Sequence, residues 1–259
     1  MTVELYYFQP LGTNSGRVYL ALLEKGVLFV ERELKGRDFE HLKPDYLRIN
    51  PKGQVPTLVH DRQALTEGML INEYVDEAFD GPPLRPADPR ERWRMRSWCR
   101  WAENDLGRCL MMIMWNRVVP TFVGDRSLED VKKVLETVPD PDRRRSWLNA
   151  YQQTTPPEQL EESHRRVREG AQKVEKHLQN FAWFAGNSHS LADIDFLNFC
   201  GGFLTRFMPE VMNEKDTPAT IAWLAKMEER PAVRDMRART DFSMATARPA
   251  QAQASGPEA

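Results

Sequence analysis

Proline 56 stands where an apolar run begins, and it limits what the surrounding chain can become. The stretch Ile49-Asn50-Pro51-Lys52-Gly53-Gln54-Val55-Pro56-Thr57-Leu58-Val59 makes a Pro/Gly turn and then enters that run. Proline has no N–H to give to a β-ladder, so Pro56 marks the start or the edge of a strand, not its middle. It also holds Val55 extended, with the N–H and C=O of that residue left to meet something other than a sheet neighbour. On these residues alone, the stretch is a turn leading into an ordinary strand.

The flanking periodicities build an α/β unit around it. Residues 4–8 are short, apolar and aromatic, the pattern of a buried strand. A loop with Pro10 and Gly12 follows. Asn14 and Ser15 are both N-cap types, Val18, Ala21 and Leu22 recur at helical spacing, and Gly26 suits the position after a helix end. Residues 27–34 read as a second strand and 39–48 as a short helix interrupted near Pro44. Residues 56–59 and 63–65 form an antiparallel pair turning at His60-Asp61-Arg62. Residues 67–79 are helical, with Leu70, Ile71, Tyr74, Val75 and Phe79 on one apolar face. The order is βαβ, then ββα. A parallel pair needs a crossover that covers the sheet, and the arrangement is thioredoxin-like over residues 1–80.

Asp80-Gly81-Pro82-Pro83-Leu84-Arg85-Pro86-Ala87-Asp88-Pro89 is a change in composition, with the linker placed at 81–89. Residues 90–240 are then all-helical. Residues 90–115 make a long helix rich in Trp and Met. Residues 119–157 are irregular, broken by Val138-Pro139-Asp140-Pro141 and Thr154-Thr155-Pro156-Pro157. Residues 159–181 are amphipathic, 190–207 form a core helix, and 217–227 and 232–239 are shorter helices. Ser190-Leu191-Ala192-Asp193 has the spacing of a capping box. Residues 241–259 lack periodicity and read as a disordered tail.

Several function classes are disfavoured. The net charge is −2, which argues against a general polyanion binder, so no nucleic-acid partner is expected. The three cysteines, Cys99, Cys109 and Cys200, have no framework spacing and fit a reducing compartment, hence a cytoplasmic protein. The start of the chain has no signal-peptide pattern. No apolar run approaches the roughly 20 residues of a membrane span. The histidines show no metal spacing, and no P-loop, dinucleotide fingerprint or Ser-His-Asp spacing is present. Arg143-Arg144-Arg145 and Arg165-Arg166 read as solvated faces.

Asn50-Pro51-Lys52-Gly53-Gln54-Val55-Pro56, with the apolar strand and Thr66-Glu67 behind it, resembles the glutathione-binding half of the glutathione transferases. The resemblance implies a cis bond at Pro56 and backbone pairing of Val55 with the cysteinyl part of glutathione, with Gln54 beside it. Glu67 would pair the γ-glutamyl ammonium, and the helix start at Gly68 would take the γ-glutamyl carboxylate. The family usually has Ser where this chain has Gly68, so only the backbone N–H is offered. His41 matches a position that reads the glycyl carboxylate. The Ser190–Asp193 box, after Ala185-Gly186, matches the motif that opens the core helix of the family's C-terminal domain.

Two groups compete for the thiol. A free thiol titrates near about 8.5, and a helix N-terminus lowers that value. Serine-type members place the thiolate partner two residues before an Arg-Val pair. Arg17-Val18 provides that match, giving Ser15 the primary role with Asn14 as helper. Tyrosine-type members use a hydroxyl at the end of the first strand, where Tyr7 stands. Without the resemblance, the first pair is an N-cap and Tyr7 a core aromatic, and both assignments stay open. Arg108, Met111, Met112 and Trp115 fall at i, i+3, i+4 and i+7 on one helix face. That stripe is either core or the wall of an aromatic-substrate site.

Within the superfamily, residues 3–240 are similar to the bacterial β-aryl etherases that cleave lignin-derived dimers. The similarity adds Leu84-Arg85-Pro86-Ala87-Asp88-Pro89, Met95-Arg96-Ser97-Trp98-Cys99-Arg100-Trp101, and an insertion carrying Val138-Pro139-Asp140-Pro141, Trp147 and Pro157-Glu158. Gly68 and Tyr7 depart from it, since those relatives carry serine there. It implies glutathione as co-substrate, no metal, and attack of the thiolate on the β-carbon of an α-keto β-aryl ether with release of a guaiacol-type phenol. It also implies a homodimer or a pair with a paralogue. Another glutathione chemistry (dehalogenation, isomerisation, glutathione removal) and a non-catalytic glutathione-binding protein are the alternatives.

Overall fold

Leu5 and Leu58 face one another across the centre of a four-stranded sheet whose strands lie in the order Val30–Glu33, Val3–Tyr7, Thr57–His60, Gln63–Leu65. A computed structural model describes residues 2–9, 11 and 14–240; the tail expected over 241–259 lies outside the described residues. Strand β1 (Val3–Tyr7) buries Val3, Leu5 and Tyr7. Helix α1 (Asn14–Lys25) is covered on nearly all sides, with Val18 to Leu22 buried without a gap. Strand β2 (Val30–Glu33) runs parallel to β1 and is shorter than the predicted 27–34, because it is the sheet's edge and all four residues are exposed. After helix α2 (Pro44–Leu47), strands β3 (Thr57–His60) and β4 (Gln63–Leu65) pair antiparallel. Their two-residue turn has Asp61 and Arg62 at φ 46° and 70°, the hand that matches strand twist. Helix α3 (Gly68–Ala78) buries Ile71 and Val75, whereas Leu70 points outward at 58% exposure, off the predicted apolar face. The expected thioredoxin-like βαβ-ββα order is therefore present, followed by helices alone.

The stretch predicted as a linker is tied down. Leu84 is buried, its N–H donates to Asp76 Oδ1 (2.7 Å), and its C=O accepts from Leu191 N–H (2.9 Å). Helix α4 (Pro89–Trp101) starts on Asp88, whose carboxylate accepts from the N–H groups of Arg90 and Glu91. It continues through a wide π turn (Ala102–Leu106) into α5 (Gly107–Val123). Gly107 N–H donates to Ala102 O, and a Cβ at Gly107 would sit 2.7 Å from that oxygen, so the turn requires glycine. The helix runs past the predicted end at 115 even though Pro120 lies inside it. The Asn116 carbonyl, which Pro120 cannot serve, accepts from Gln153 Nε2 at 3.0 Å instead.

Residues 119–157 are not the irregular segment expected. They contain α6 (Leu128–Leu135), capped by Ser127, and α7 (Pro141–Gln152), capped by Asp140. Pro141, and Pro157 at the start of α8 (Pro157–Leu178), occupy first-turn positions where a missing N–H leaves nothing unpaired. The prolines read as breakers are helix starters. Helix α9 (Leu191–Phe196) opens on the predicted capping box, with Ser190 N–H donating to Asp193 Oδ2 at 2.9 Å. It passes through a second π segment (Leu197–Leu204) into α10 (Thr205–Phe207), and α11 (Pro218–Glu228) and α12 (Pro231–Ala238) close the chain.

The main core joins β1, α1 and α3 to α4, α8 and α9. A second, separate core brings Phe39 and Leu42 of the first half against Val119 and Val123 of α5, Val131 and Leu135 of α6, and Trp147 and Ala150 of α7. This second core holds α6 and α7 beside the Pro56 loop.

Candidate active site

A cleft of about 580 Å³ opens between the Pro56 loop and the long helix α5. On the sheet side its wall is the stretch Asn50–Pro56 and the start of α3. The Val55–Pro56 bond is cis, as predicted. Asn50, 2% exposed, builds the loop from inside. Its Nδ2 donates to Gln54 O and to Thr57 Oγ1, both at 2.9 Å, while its Oδ1 accepts from Lys52 N–H at 3.0 Å. Tyr46 Oη reaches the same two acceptor groups, and burial pushes its hydroxyl up to about 12. The strand pairing of β3 with β1 ends at Thr57, and among the described residues nothing hydrogen-bonds the backbone of Val55. An extended peptide segment can add to an edge left open in this way.

Glu67 caps α3 at φ 67°, beside Gly68 and the first turn's N–H groups. Its carboxylate meets Lys52 Nζ in a pair exposed on both sides. Such a pair is weak, so an incoming ammonium can displace the lysine. Gly68 itself has a local reason: a Cβ there would stand 3.1 Å from Arg17 Cδ. Arg17 is buried at the cleft floor and spans the two halves. Its Nε and Nη2 donate to Asp195 Oδ1 (2.8 Å) and Oδ2 (2.7 Å), and its Nη1 to Glu103 Oε2 (3.2 Å).

The opposite wall is side chains. Arg108, Met111, Met112 and Trp115 all line the cleft, with Asn116 one turn on and Phe199 behind Gly107. The core face of α5 is the other one, formed by Cys109, Leu110 and Ile113. Arg108 has no partner among the described residues. Arg143 of α7 also lines the cleft, so it is not the solvated residue its run of arginines suggested. Among the described residues no group of three His, Cys, Asp or Glu could hold a metal.

The residues weighed for the thiol separate. Asn14 lines the cleft at the N-terminus of α1. Ser15 is off the cleft lining and 1% exposed; its Oγ accepts from Phe8 N–H at 3.1 Å, and no acceptor takes its own proton among the described residues. Tyr7 is away from the cleft lining. Its hydroxyl donates to Glu31 Oε2 at 2.8 Å, and burial, then that bond, pushes its pKa upward. His41 is also off the lining, buried edge-on to Phe8. Desolvation first, and the nearby Arg143 second, bring its imidazole down to about 3. Arg17, Asn50 and Arg143 were given no role from sequence. Asn50 sits inside the quoted motif, and Arg17 beside Ser15, so both were visible without their partners.

The family model described as "Glutathione S-transferase, N-terminal domain" matches residues 13–78, and "Glutathione S-transferase, C-terminal domain" matches 109–231. Protein LigF of Sphingobium sp. (strain NBRC 103272 / SYK-6) is 33% identical over 241 residues, spanning 91% of this chain and 93% of that protein. The crystal structure of beta-etherase LigF from Sphingobium sp. strain SYK-6 superposes with a TM-score of 0.88 at 32% identity, over 93% of this chain and 100% of that one. FtsZ-localized protein A of Caulobacter vibrioides is 28% identical, covering 92% of each chain.

Proposed function

Because the chain belongs to the glutathione S-transferase family, we propose that it is a glutathione-dependent β-etherase acting on lignin-derived aromatic dimers. The observation that carries this reading is similarity to the beta-etherase over 93% of the chain, both halves included, with a TM-score of 0.88. When bound, glutathione supplies a thiolate that forms a sulfur–carbon bond at the β-carbon of an α-keto β-aryl ether while the carbon–oxygen bond breaks and a phenolate leaves. The adjacent carbonyl activates that carbon.

The chain's own residues bind, align and polarise. Val55 offers its backbone N–H and C=O to the cysteinyl segment, Gln54 flanks it, and Pro56 keeps the edge open. The first N–H groups of α3 at Gly68 take the γ-glutamyl carboxylate, and Glu67 exchanges Lys52 for the γ-glutamyl ammonium. The N-terminus of α1 lowers the thiol's pKa, with the Ser15 proton and the Asn14 amide as donors. Arg108, Met111, Met112 and Trp115 form the aromatic-substrate wall, and holding both reactants in register supplies most of the rate. The enzyme works in the cytoplasm as a dimer, with itself or a paralogue. Leu70 and Trp93 stand exposed at 58% and 70%, each three residues from a member of the Arg96–Glu73 ion pair, and offer an apolar face for a second subunit.

The test is one incubation of purified protein with glutathione and a racemic β-guaiacyl ketone dimer, followed by chiral chromatography. Guaiacol release stopping near half conversion is the expected result. Glutathione binding with no release rejects the etherase reading and favours the second one, a non-catalytic glutathione-binding protein.

A further inference from the structure

We infer that Arg143, on the extra helix α7, is a positioning residue for the glutathione loop, holding in place the edge that Val55 presents. This rests on the glutathione reading of the cleft. Three consecutive carbonyls before Val55 are each held by a side chain. Arg143 Nη1 donates to Lys52 O at 2.7 Å and Nη2 to Gly53 O at 2.9 Å, while Asn50 Nδ2 donates to Gln54 O at 2.9 Å. The carbonyl of Val55 is the first without a partner among the described residues. The first half holds the loop from within through Asn50 and Tyr46; among the described residues only Arg143 hydrogen-bonds it from the helical half, across 91 and 90 residues of sequence.

The arginine is itself fixed. Helix α7 starts on the Asp140 cap, and Trp147, one turn beyond Arg143, is buried in the second core against Phe39. That core ties α7 to the same half that owns the loop, so the clamp and the loop move together. A planar guanidinium presents two donors in a fixed fork that fits two adjacent carbonyls, a geometry that an ammonium on a flexible stem does not preset. The extra segment thereby acts on the co-substrate, in addition to adding wall for the aromatic substrate.

The test compares Arg143→Lys, Arg143→Gln and the exposed control Arg145→Ala by calorimetric glutathione binding, steady-state kinetics and hydrogen exchange of residues 50–57 in the ligand-free protein. Both Arg143 variants are expected to bind glutathione about tenfold more weakly, with kcat at saturating glutathione within about threefold and the KM for the aryl ether unchanged. The loop amides should exchange faster in both, and Arg145→Ala should match the unaltered protein. Restoration of affinity by lysine would mean that charge, not the two-carbonyl grip, matters, and would overturn the inference. So would unchanged loop exchange in Arg143→Gln, a reading that does not depend on glutathione. If the unaltered protein shows no glutathione binding, the glutathione reading falls and this inference with it. Binding by the unaltered protein with equal affinity in both Arg143 variants overturns this inference alone.

Discussion

The two walls of the cleft present different kinds of groups. On the sheet side the ligand-facing groups are backbone: the open edge at Val55 and the N–H groups at the start of α3, held by a buried polar web of Asn50, Tyr46 and Thr57. On the helical side they are side chains on one face of α5, with Arg108 unpartnered and Met111, Met112 and Trp115 half-buried. Backbone recognition tolerates little change, because moving one carbonyl moves a ladder. A wall of Met and Trp can change its shape with single substitutions and leave the helix intact. The first wall suits an invariant co-substrate, and the second suits a substrate that differs from enzyme to enzyme.

Arg17 fastens the walls together, and removing it should produce the largest effect. Its guanidinium and the Asp195 carboxylate are both buried and doubly hydrogen-bonded. Arg17→Ala strands Asp195 without a counter-charge and should lower unfolding free energy by about 3–5 kcal/mol in urea denaturation. A loss below about 1 kcal/mol would mean that the two halves stand without this tie.

Ser15→Ala comes next and separates chemistry from binding. If the Ser15 proton stabilises the thiolate, kcat should fall about a hundredfold with the aryl-ether KM unmoved. Tyr7→Phe should be nearly silent, since that hydroxyl is committed to Glu31. A large loss in Tyr7→Phe with none in Ser15→Ala reverses the assignment.

The sheet-side wall was readable because its constraints are local. Pro56 forbids ladder bonding at its own position and Asp61-Arg62 turns tightly; in the helical half the Ser190-Asp193 cap, closed within four residues, was readable for the same reason. The partners of Arg17 and Arg143 were not readable, since each lies far away in sequence, at Asp195 and at Lys52–Gly53. For Arg143 a signal did exist. Residues 143, 147 and 150 fall at i, i+4 and i+7, and Trp147 and Ala150 are buried. Reading 119–157 as irregular, on account of prolines that in fact start helices, removed the helix face on which that spacing would have counted. Gly68 looked like a defect until Arg17 was seen filling the space that a side chain there would need.

Acid should act on the sheet side through His41, with a somewhat smaller effect. Folded, its imidazole titrates near about 3; unfolded, near about 6.5. Below the unfolded value the unfolded chain takes up a proton that the folded chain refuses, so stability is complete above about pH 6.5 and falls as pH drops toward 3. His41→Phe should therefore gain about 2 kcal/mol relative to the unaltered protein between pH 8 and pH 5. Asp193, under the helical half, runs the opposite way: burial raises it to about 6, so its carboxyl adds stability as pH falls from 6 toward the unfolded carboxylate range. A His41→Phe variant whose stability profile parallels the parent's would show that water reaches the imidazole.

The smallest effect tests the division between the walls most directly. Trp115 lines the cleft and stands edge-on to Trp147, with ring centroids 4.4 Å apart at 80°. Trp115→Leu keeps apolar cover over Trp147 and removes the flat face offered to an aryl ring. The KM for the aryl ether should rise about tenfold, about 1.4 kcal/mol of binding, with the glutathione KM within twofold. If the glutathione KM rises in step, the walls are not independent, and α5 reaches the co-substrate through Trp147 and its neighbour Arg143 on α7. If neither constant moves, the aryl ring is held elsewhere on the wall, and Met111 and Met112 become the side chains to change.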